Sequence, residues 1–241
     1  ALQKENEERK RIEDQLQYLA THDPMTGLAN RHFLEEQLEK AVSRGLVNEE
    51  SLALLIVDVD NFKTINDRYG HRRADLILRE AGARIQDAVR NLDTVARFAG
   101  DTFAVLLPKA GNRDTVAMVL DRMHANFDRA VVLDDLSLEV TVSSGAALCP
   151  ADANDAAGML RCADSAMHQA KSAGRDRYQF FSRELDVLLV RRDSLERRLR
   201  TAVDRAELNL VLQPKFDLRE RRECGFESLL RWTAGGDALA S

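Results

Sequence analysis

The sequence predicts an α+β fold in which helices cover a mainly antiparallel sheet. Three observations predict it. "SLALLIVDVD" (51–60) is an unbroken apolar run ending in acids, the pattern of a strand buried on both faces. "VARFAGDTFAVLLP" (95–108) sets two apolar runs around a Gly-Asp turn, the pattern of a hairpin, with Gly100 free to take a positive φ. Segments with helical periodicity separate these strands, so each sheet face has an amphipathic partner to cover it.

Taken in order, "ALQKENEERKRIEDQLQYLA" (1–20) is charged and lacks Gly and Pro. Leu2, Leu16, Ile12 and Leu19 occupy its heptad seam, interrupted by Arg9 and Glu5, so it reads as the end of a signalling helix or as a solvated helix packed on its own domain. Pro24 and Gly27 break it, and a helix follows over 30–44. After the buried strand, "NFKTINDRYGH" (61–71) is a polar connection with a short helical piece. Leu76, Ile77, Ala81, Ile85, Ala88 and Val89 then mark an amphipathic helix over 74–90. The hairpin comes next, followed by a helix over 112–129 and a single strand across "LSLEVTVSSGAAL" (136–148), alternating at Leu138, Val140 and Val142. A helix over 155–175 ends on Gly174, and "DRYQFF" (176–181) is a closing strand. Residues 183–206 form a charged helix carrying Leu185, Leu188, Leu189, Leu195 and Leu199, which reads as a linker. "LNLVLQPKFDL" and "RRECGFESLLRW" are two further strands around a polar turn.

The 241 residues carry a net charge of −5, which argues against bulk nucleic-acid binding. The three cysteines, Cys149, Cys162 and Cys224, have neither zinc nor disulfide-framework spacing, so a reducing, cytoplasmic setting is expected. No apolar run reaches the roughly 18–20 residues that span a bilayer. The chain starts at Ala1 and stops soon after a strand, and it reads as a fragment whose parent is anchored, if at all, through other segments.

Asp58 and Asp60 lie two apart at a strand end and so share a face. Buried carboxylates need compensation. Either they hold Mg²⁺, which takes a carboxylate or two and leaves positions for phosphate oxygens, or they cap the helix that follows. Asp101, at the hairpin tip, joins Asp58 if the hairpin is the neighbouring pair of strands, which would make a metal-assisted phosphoryl-transfer site.

"HDPMTGLANR", "DVDNFKTINDRYGH", "RFAGDTF", "SSGAAL" and "ADSAMHQAKSAGRDRY", in one order and register over about 20–181, closely resemble the GGDEF (diguanylate cyclase) domain. The resemblance implies a nucleotidyl-cyclase or polymerase-palm-like fold. It also implies synthesis of cyclic di-GMP from two GTP across two facing domains, with Mg²⁺ or Mn²⁺. By position it makes Asp58 and Asp101 metal ligands. Phe62 and Lys63 would approach the phosphates, and Asn66 and Asp75 would read guanine. Lys171 and Arg175, one helical turn apart, would hold the terminal phosphates; on sequence alone they also suit a solvated helix end. Arg90 and Asp93 form an RxxD five residues before "AGDTF", where the family binds inhibitory cyclic di-GMP; alone, the motif is also an i,i+3 ion pair.

The signature departs from the family as Ala99-Gly100-Asp101-Thr102-Phe103, and Ala74 stands where Gly is usual. Thr102 replaces an acid, and losing one such group typically costs roughly 10²–10⁴-fold in rate. The expectation is a catalytically impaired, regulatory domain that binds GTP or cyclic di-GMP, dimerises through the N-terminal helix and receives input from an upstream sensor. An active cyclase and a nucleotide-free dimerisation module are the alternatives. Residues 206–241 resemble the opening of an EAL domain, a cyclic di-GMP phosphodiesterase with a (β/α)₈-type barrel. The resemblance would make Glu227 a metal ligand and Gln213 and Arg231 dinucleotide contacts. The expected organisation is a signalling helix over 1–20, a GGDEF domain over 21–182, a linker helix over 183–205 and an EAL fragment over 206–241.

Overall fold

The computed structural model describes residues 18–133, 136–234 and 237–239. Residues 18–21 are helical; the rest of the coiled-coil reading, residues 1–17, lies outside the described residues. The chain divides after Asp186 into two compact units.

The first unit is built on a six-stranded sheet. Its strands are β1 (Ala29–Asn30), β2 (Leu52–Val59), β3 (Thr94–Ala99), β4 (Thr102–Leu107), β7 (Val142–Cys149) and β8 (Arg177–Phe180). They lie in the order β1-β3-β4-β2-β7-β8. The four inner strands are antiparallel, while β1 on β3 and β8 on β7 are parallel, so the sheet is mixed at both edges. Every residue of β2 is buried, as its unbroken apolar run requires of a central strand covered on both faces.

Helix α1 (Arg31–Asn48) starts on an Asn30 cap whose side chain accepts from the Phe33 N–H, and ends on Glu49 at φ 55. Helices α2 (Phe62–Tyr69) and α3 (His71–Asp87) meet at Gly70, φ 79. Helix α4 (Arg113–Phe127) is capped by Asn112, and α5 (Ala156–Ser172) by Asp155. Alternation along β2 divides the core. Ala53, Leu55 and Val57 join the cluster that includes Ile77, Ile85, Leu120 and Met123 of α3 and α4; Leu52, Leu54 and Ile56 join Leu34, Leu38, Met159, Ala163 and Met167 of α1 and α5. At Gly145 an added Cβ would come within 2.1 Å of the Ala163 carbonyl and the Met167 N–H, so only glycine lets α5 approach β7 this closely.

One strand expectation is corrected. Residues 136–148 make two elements: β6 (Leu136–Leu138) pairs with β5 (Val131–Leu133) in a separate ribbon, and β7 begins at Val142. The break falls where the Thr141 carbonyl and hydroxyl both turn to Asp60, the first accepting from its N–H and the second donating to its carboxylate.

The second unit, from Val187, contains most of α6 (Arg183–Ala202) and an antiparallel sheet of β9 (Leu208–Asp217), β10 (Arg222–Ala234) and β11 (Asp237–Leu239). The side chains of Leu185, Leu188 and Leu189 lie outside the described residues; Leu195 and Leu199 are exposed. No described helix is long and apolar enough to cross a membrane.

Candidate functional site

The end of β2 organises the site. Asp58 pairs in register with Thr102 of β4 and Ser143 of β7, and its alternation with Leu54 and Ile56 turns it to the face that α5 covers. Its carboxylate is engaged at both oxygens: Lys171 Nζ lies 2.6 Å from Oδ1, and the Thr102 hydroxyl donates to Oδ2 at 3.1 Å. Asp101 follows in the turn, its carbonyl accepting from the Val59 N–H. Burial and the neighbouring Asp58 charge push the Asp101 carboxyl above the ordinary range, against the opposing pull of Lys171 and Arg97. Asp58 thus holds the Lys171 cation directly, while the partly buried Asp101 feels its charge without a direct ion pair between them.

Asp60 has a different environment from Asp58. It is 4% exposed and accepts from the Thr141 hydroxyl (2.8 Å), the Ser143 hydroxyl (2.7 Å) and the Asp176 backbone N–H (3.1 Å). The sequence pairs the two acids, but the structure gives each its own partners. Neither serves as the side-chain cap of the following helix, whose N-cap is Asn61 with no side-chain cap bond.

The hairpin tip is a two-residue turn, with Ala99 opposite Thr102, Gly100 at φ 55 and a register shift between Arg97 and Ala99. Arg97 braces it: Nε and Nη2 donate to the Gly100 carbonyl at 3.0 and 2.8 Å, and Nη1 reaches Asp23 Oδ2 at 3.3 Å. Burial works against the ionised Asp23, yet bonds from Thr26 and the Arg97 charge outweigh it and hold the carboxyl below the usual range. Sequence reasoning missed this brace, because Asp23 and Arg97 are 74 residues apart and no local pattern pairs them.

Phe62 and Lys63 open α2 beside the strand end; Phe62 packs against the core and Lys63 is exposed. Asn66, one turn on, has a buried Oδ1 with no hydrogen-bond partner, so it presents an unused acceptor. Asp75 lies in α3 and is exposed. Ala74, in the usual glycine position, is 1% exposed and its N–H bonds the Gly70 carbonyl, so the extra methyl is accommodated.

Lys171 is in the last turn of α5, but Arg175 is not one helical turn further along it. The helix stops at Ser172 and reverses through Gly174 (φ 121), with the Arg175 N–H bonded to the Ala170 carbonyl and the Gly174 N–H to that of Lys171. Arg175 and Asp176 both take left-handed backbone, at φ 65 and 48. The tight reversal displaces Arg175 from the helix line that simple counting implies.

Arg90 and Asp93 form a turn after α3 rather than an i,i+3 helical pair: the Arg90 N–H donates to Asp93 Oδ2 at 2.8 Å, and the Asp93 N–H to the Arg90 carbonyl. Both line a cavity of about 370 Å³ together with Arg44 of α1 and Lys109. No local pattern points to Arg44, since only the packing of α1 brings it there.

In the second unit, Glu227 faces Gln213 directly across β9 and β10, and alternation sets Arg231, opposite Asn209, on the same face. Lys215 pairs with Glu227 at 3.3 Å. The opposite face carries Leu210, Leu212, Phe226 and Leu230, all exposed.

Comparisons with known proteins agree with this geometry. Residues 20–177 match the model of the family described as "Diguanylate cyclase, GGDEF domain". The chain is 35% identical over 222 residues to the bifunctional diguanylate cyclase/cyclic di-GMP phosphodiesterase MucR of Pseudomonas aeruginosa, covering 92% of this chain and 32% of the relative. It is 35% identical over 218 residues to the cyclic di-GMP phosphodiesterase NbdA of the same organism, covering 90% of this chain and 28% of the relative. The chain therefore spans about a third of the length of these curated relatives. Among solved structures, the GGDEF domain of TpbB (YfiN) from Pseudomonas aeruginosa superposes with a TM-score of 0.68 at 34% identity, covering 70% of this chain and 99% of that one. The coiled coil and GGDEF domain of DgcB from Caulobacter crescentus, in complex with cyclic di-GMP, superposes with a TM-score of 0.67 at 27% identity, covering 74% and 94%. With the palm-like sheet, the strand-end acids and the hairpin signature on the same residues, the chain belongs to the GGDEF family.

Proposed function

We propose that this GGDEF domain binds a guanine nucleotide but has impaired cyclase activity, and that it regulates an adjoining domain according to GTP or cyclic di-GMP. The observation that carries the reading is Thr102: where the family signature has an acid, a hydroxyl donates to Asp58. A neutral hydroxyl neither adds negative charge toward a metal nor takes a proton near neutral pH.

The residues fit a divalent metal. Asp58 and Asp101 are hard oxygen donors, and burial together with the Asp58 charge disfavours the ionised Asp101, a cost that a dication would offset. Bound there, Mg²⁺ or Mn²⁺ would neutralise polyphosphate charge. Lys171 and Arg175 would hold the terminal phosphates, Phe62 and Lys63 would flank them, and Asn66 and Asp75 would take the guanine edge. The buried, unused acceptor of Asn66 supports that last role.

The test is GTP turnover on the domain with Mg²⁺, alongside thermal shifts with GTP–Mg²⁺. Stabilisation without turnover is expected, since selective binding to the native state raises its stability. Thr102→Glu should then raise cyclic di-GMP formation by about 10²-fold or more. Turnover matching an intact cyclase in the unsubstituted chain, abolished by Asp58→Ala, would refute impairment. No stabilisation by any nucleotide would favour a dimerisation module.

A second site is supported by the cavity that gathers Arg90, Arg44 and Lys109 near Asp93, a setting for a phosphate-rich ligand such as cyclic di-GMP. Calorimetric titration with Arg90→Ala as control tests it. The same reading assigns residues 206–241 to the start of an EAL-like domain. It is supported by the common face of Gln213, Glu227 and Arg231, with residues 183–205 as the link between the domains.

A further inference from the structure

We propose that Asp60 is a positioning residue: it locks the turn that carries Arg175, and so sets where that guanidinium meets the terminal phosphate of a nucleoside triphosphate. The proposal rests on the reading of Arg175 as a phosphate-holding residue.

Asp60 is 4% exposed, and its carboxylate accepts from two hydroxyls and one backbone N–H, all neutral. No ion pair to it occurs among the described residues. A buried carboxylate held only by neutral donors is costly, and the chain has reason to retain one where all three donors need an acceptor at once. Two of the donors, Thr141 and Ser143, fix the carboxylate against β7. The third, from Asp176, lies 116 residues away in the turn after α5.

That turn is unfavourable on its own terms. Arg175 (φ 65) and Asp176 (φ 48) are consecutive residues with Cβ atoms in left-handed backbone, which only surrounding structure can enforce. Arg177 Nε donates to the Arg175 carbonyl at 3.0 Å, and two backbone N–H groups are held from either side. The Arg175 N–H is taken by the Ala170 carbonyl, and the next N–H, that of Asp176, by Asp60. Arg175 is thus bracketed between the helix end and the strand end. The two acids at the end of β2 then have complementary roles, since Asp58 receives Lys171 directly and Asp60, just past the strand, places Arg175 through the backbone beside it.

The experiment measures binding of GTP, GDP and GMP by calorimetry, with Mg²⁺, for the full chain and for Asp60→Asn, Arg175→Ala and the double variant. Asp60→Asn is expected to weaken GTP about tenfold while GMP changes less than about twofold, because only the terminal phosphate depends on Arg175. In the Arg175→Ala background the same substitution should add nothing, the signature of two residues acting through one contact. Asp60→Glu keeps the charge and shifts it by one methylene, and should show the same GTP-selective loss. Equal weakening of GTP and GMP, or a full additional loss on top of Arg175→Ala, would overturn the proposal and leave Asp60 a merely structural acid. Arg175→Ala alone decides the underlying reading: if it leaves the GTP-over-GMP preference intact, Arg175 does not hold phosphate, whatever Asp60 does.

Discussion

The ammonium of Lys171 lies 2.6 Å from Oδ1 of Asp58, with side-chain exposures of 27% and 8%, so the strand-end acid and the helix-end cation meet away from most solvent. Asp101 stands close enough for the Asp58 charge to raise its carboxyl.

Removing that cation should therefore be felt. Lys171→Met keeps much of the apolar stem and deletes the charge, leaving Asp58 with only the Thr102 hydroxyl. The expected loss is about 2 kcal/mol, the scale of a hydrogen bond to a charged group, or roughly 4–8 °C in Tm for a domain of this size. Thermal melts at pH 7 check it, and unchanged midpoints would show the pair to be energetically neutral.

Asp101 predicts a pH effect of definite sign. Its carboxyl titrates higher in the folded chain than the reference 3.8, so its ionisation opposes folding: the cost is present at neutral pH and disappears as pH falls below that value. Asp101→Asn should accordingly raise Tm at pH 7, and the gain should vanish towards pH 4. A substitution that lowers Tm at pH 7 would contradict the sign.

His124 predicts the opposite slope. Burial lowers its pKa from 6.5 despite the acids around it, Asp176, Asp60, Asp121 and Asp128, and its Nε2 lies 3.1 Å from the buried Ser144 hydroxyl. The unfolded chain takes up the proton first, so the stability linked to this group is complete above pH 6.5 and is lost as pH falls through the folded value. The slope is at most about 1.4 kcal/mol per pH unit. Denaturant titrations between pH 5 and 7.5 should show His124→Gln flattening this slope. An identical slope in the variant would assign it elsewhere.

Gly145→Ala should be among the most damaging single changes in the chain. The new Cβ would sit 2.1 Å from backbone atoms of Ala163 and Met167, which cannot rotate away. Separating α5 from β7 opens the core that holds Lys171 in place, and the expected cost is about 3 kcal/mol or more. Urea unfolding measures it; a loss under about 1 kcal/mol would mean that the helix shifts more readily than its packing indicates.

How much of this was legible in the sequence depended on distance along the chain. The β2 run, the hairpin and the Gly174 stop are local patterns, and each is found where those patterns put it. The helix expected to stop at 44 continues to Asn48, because Gly45 sits against the Glu50 carbonyl, where a side chain would not fit, and the reversal falls instead on Glu49. The alternating stretch 136–148 shows no local sign of its break, since Asp60, which bonds the Thr141 carbonyl and hydroxyl at the break, is 81 positions away. The same limit hid the separate surroundings of Asp58 and Asp60, which two-residue spacing alone makes look equivalent.

The brace at Arg97 has a mechanical consequence. One edge of the guanidinium is forked on the Gly100 carbonyl, and the other rests on Asp23, in the turn that ends the helical residues 18–21. The hairpin tip is thus a supported beam rather than a cantilever. One planar side chain thereby ties the peptide next to Asp101 to the turn after residues 18–21, alongside the pairing of β1 with β3. A lysine there would deliver a point charge in place of a rigid strut, and the stiffness of that connection would be lost even with its charge intact.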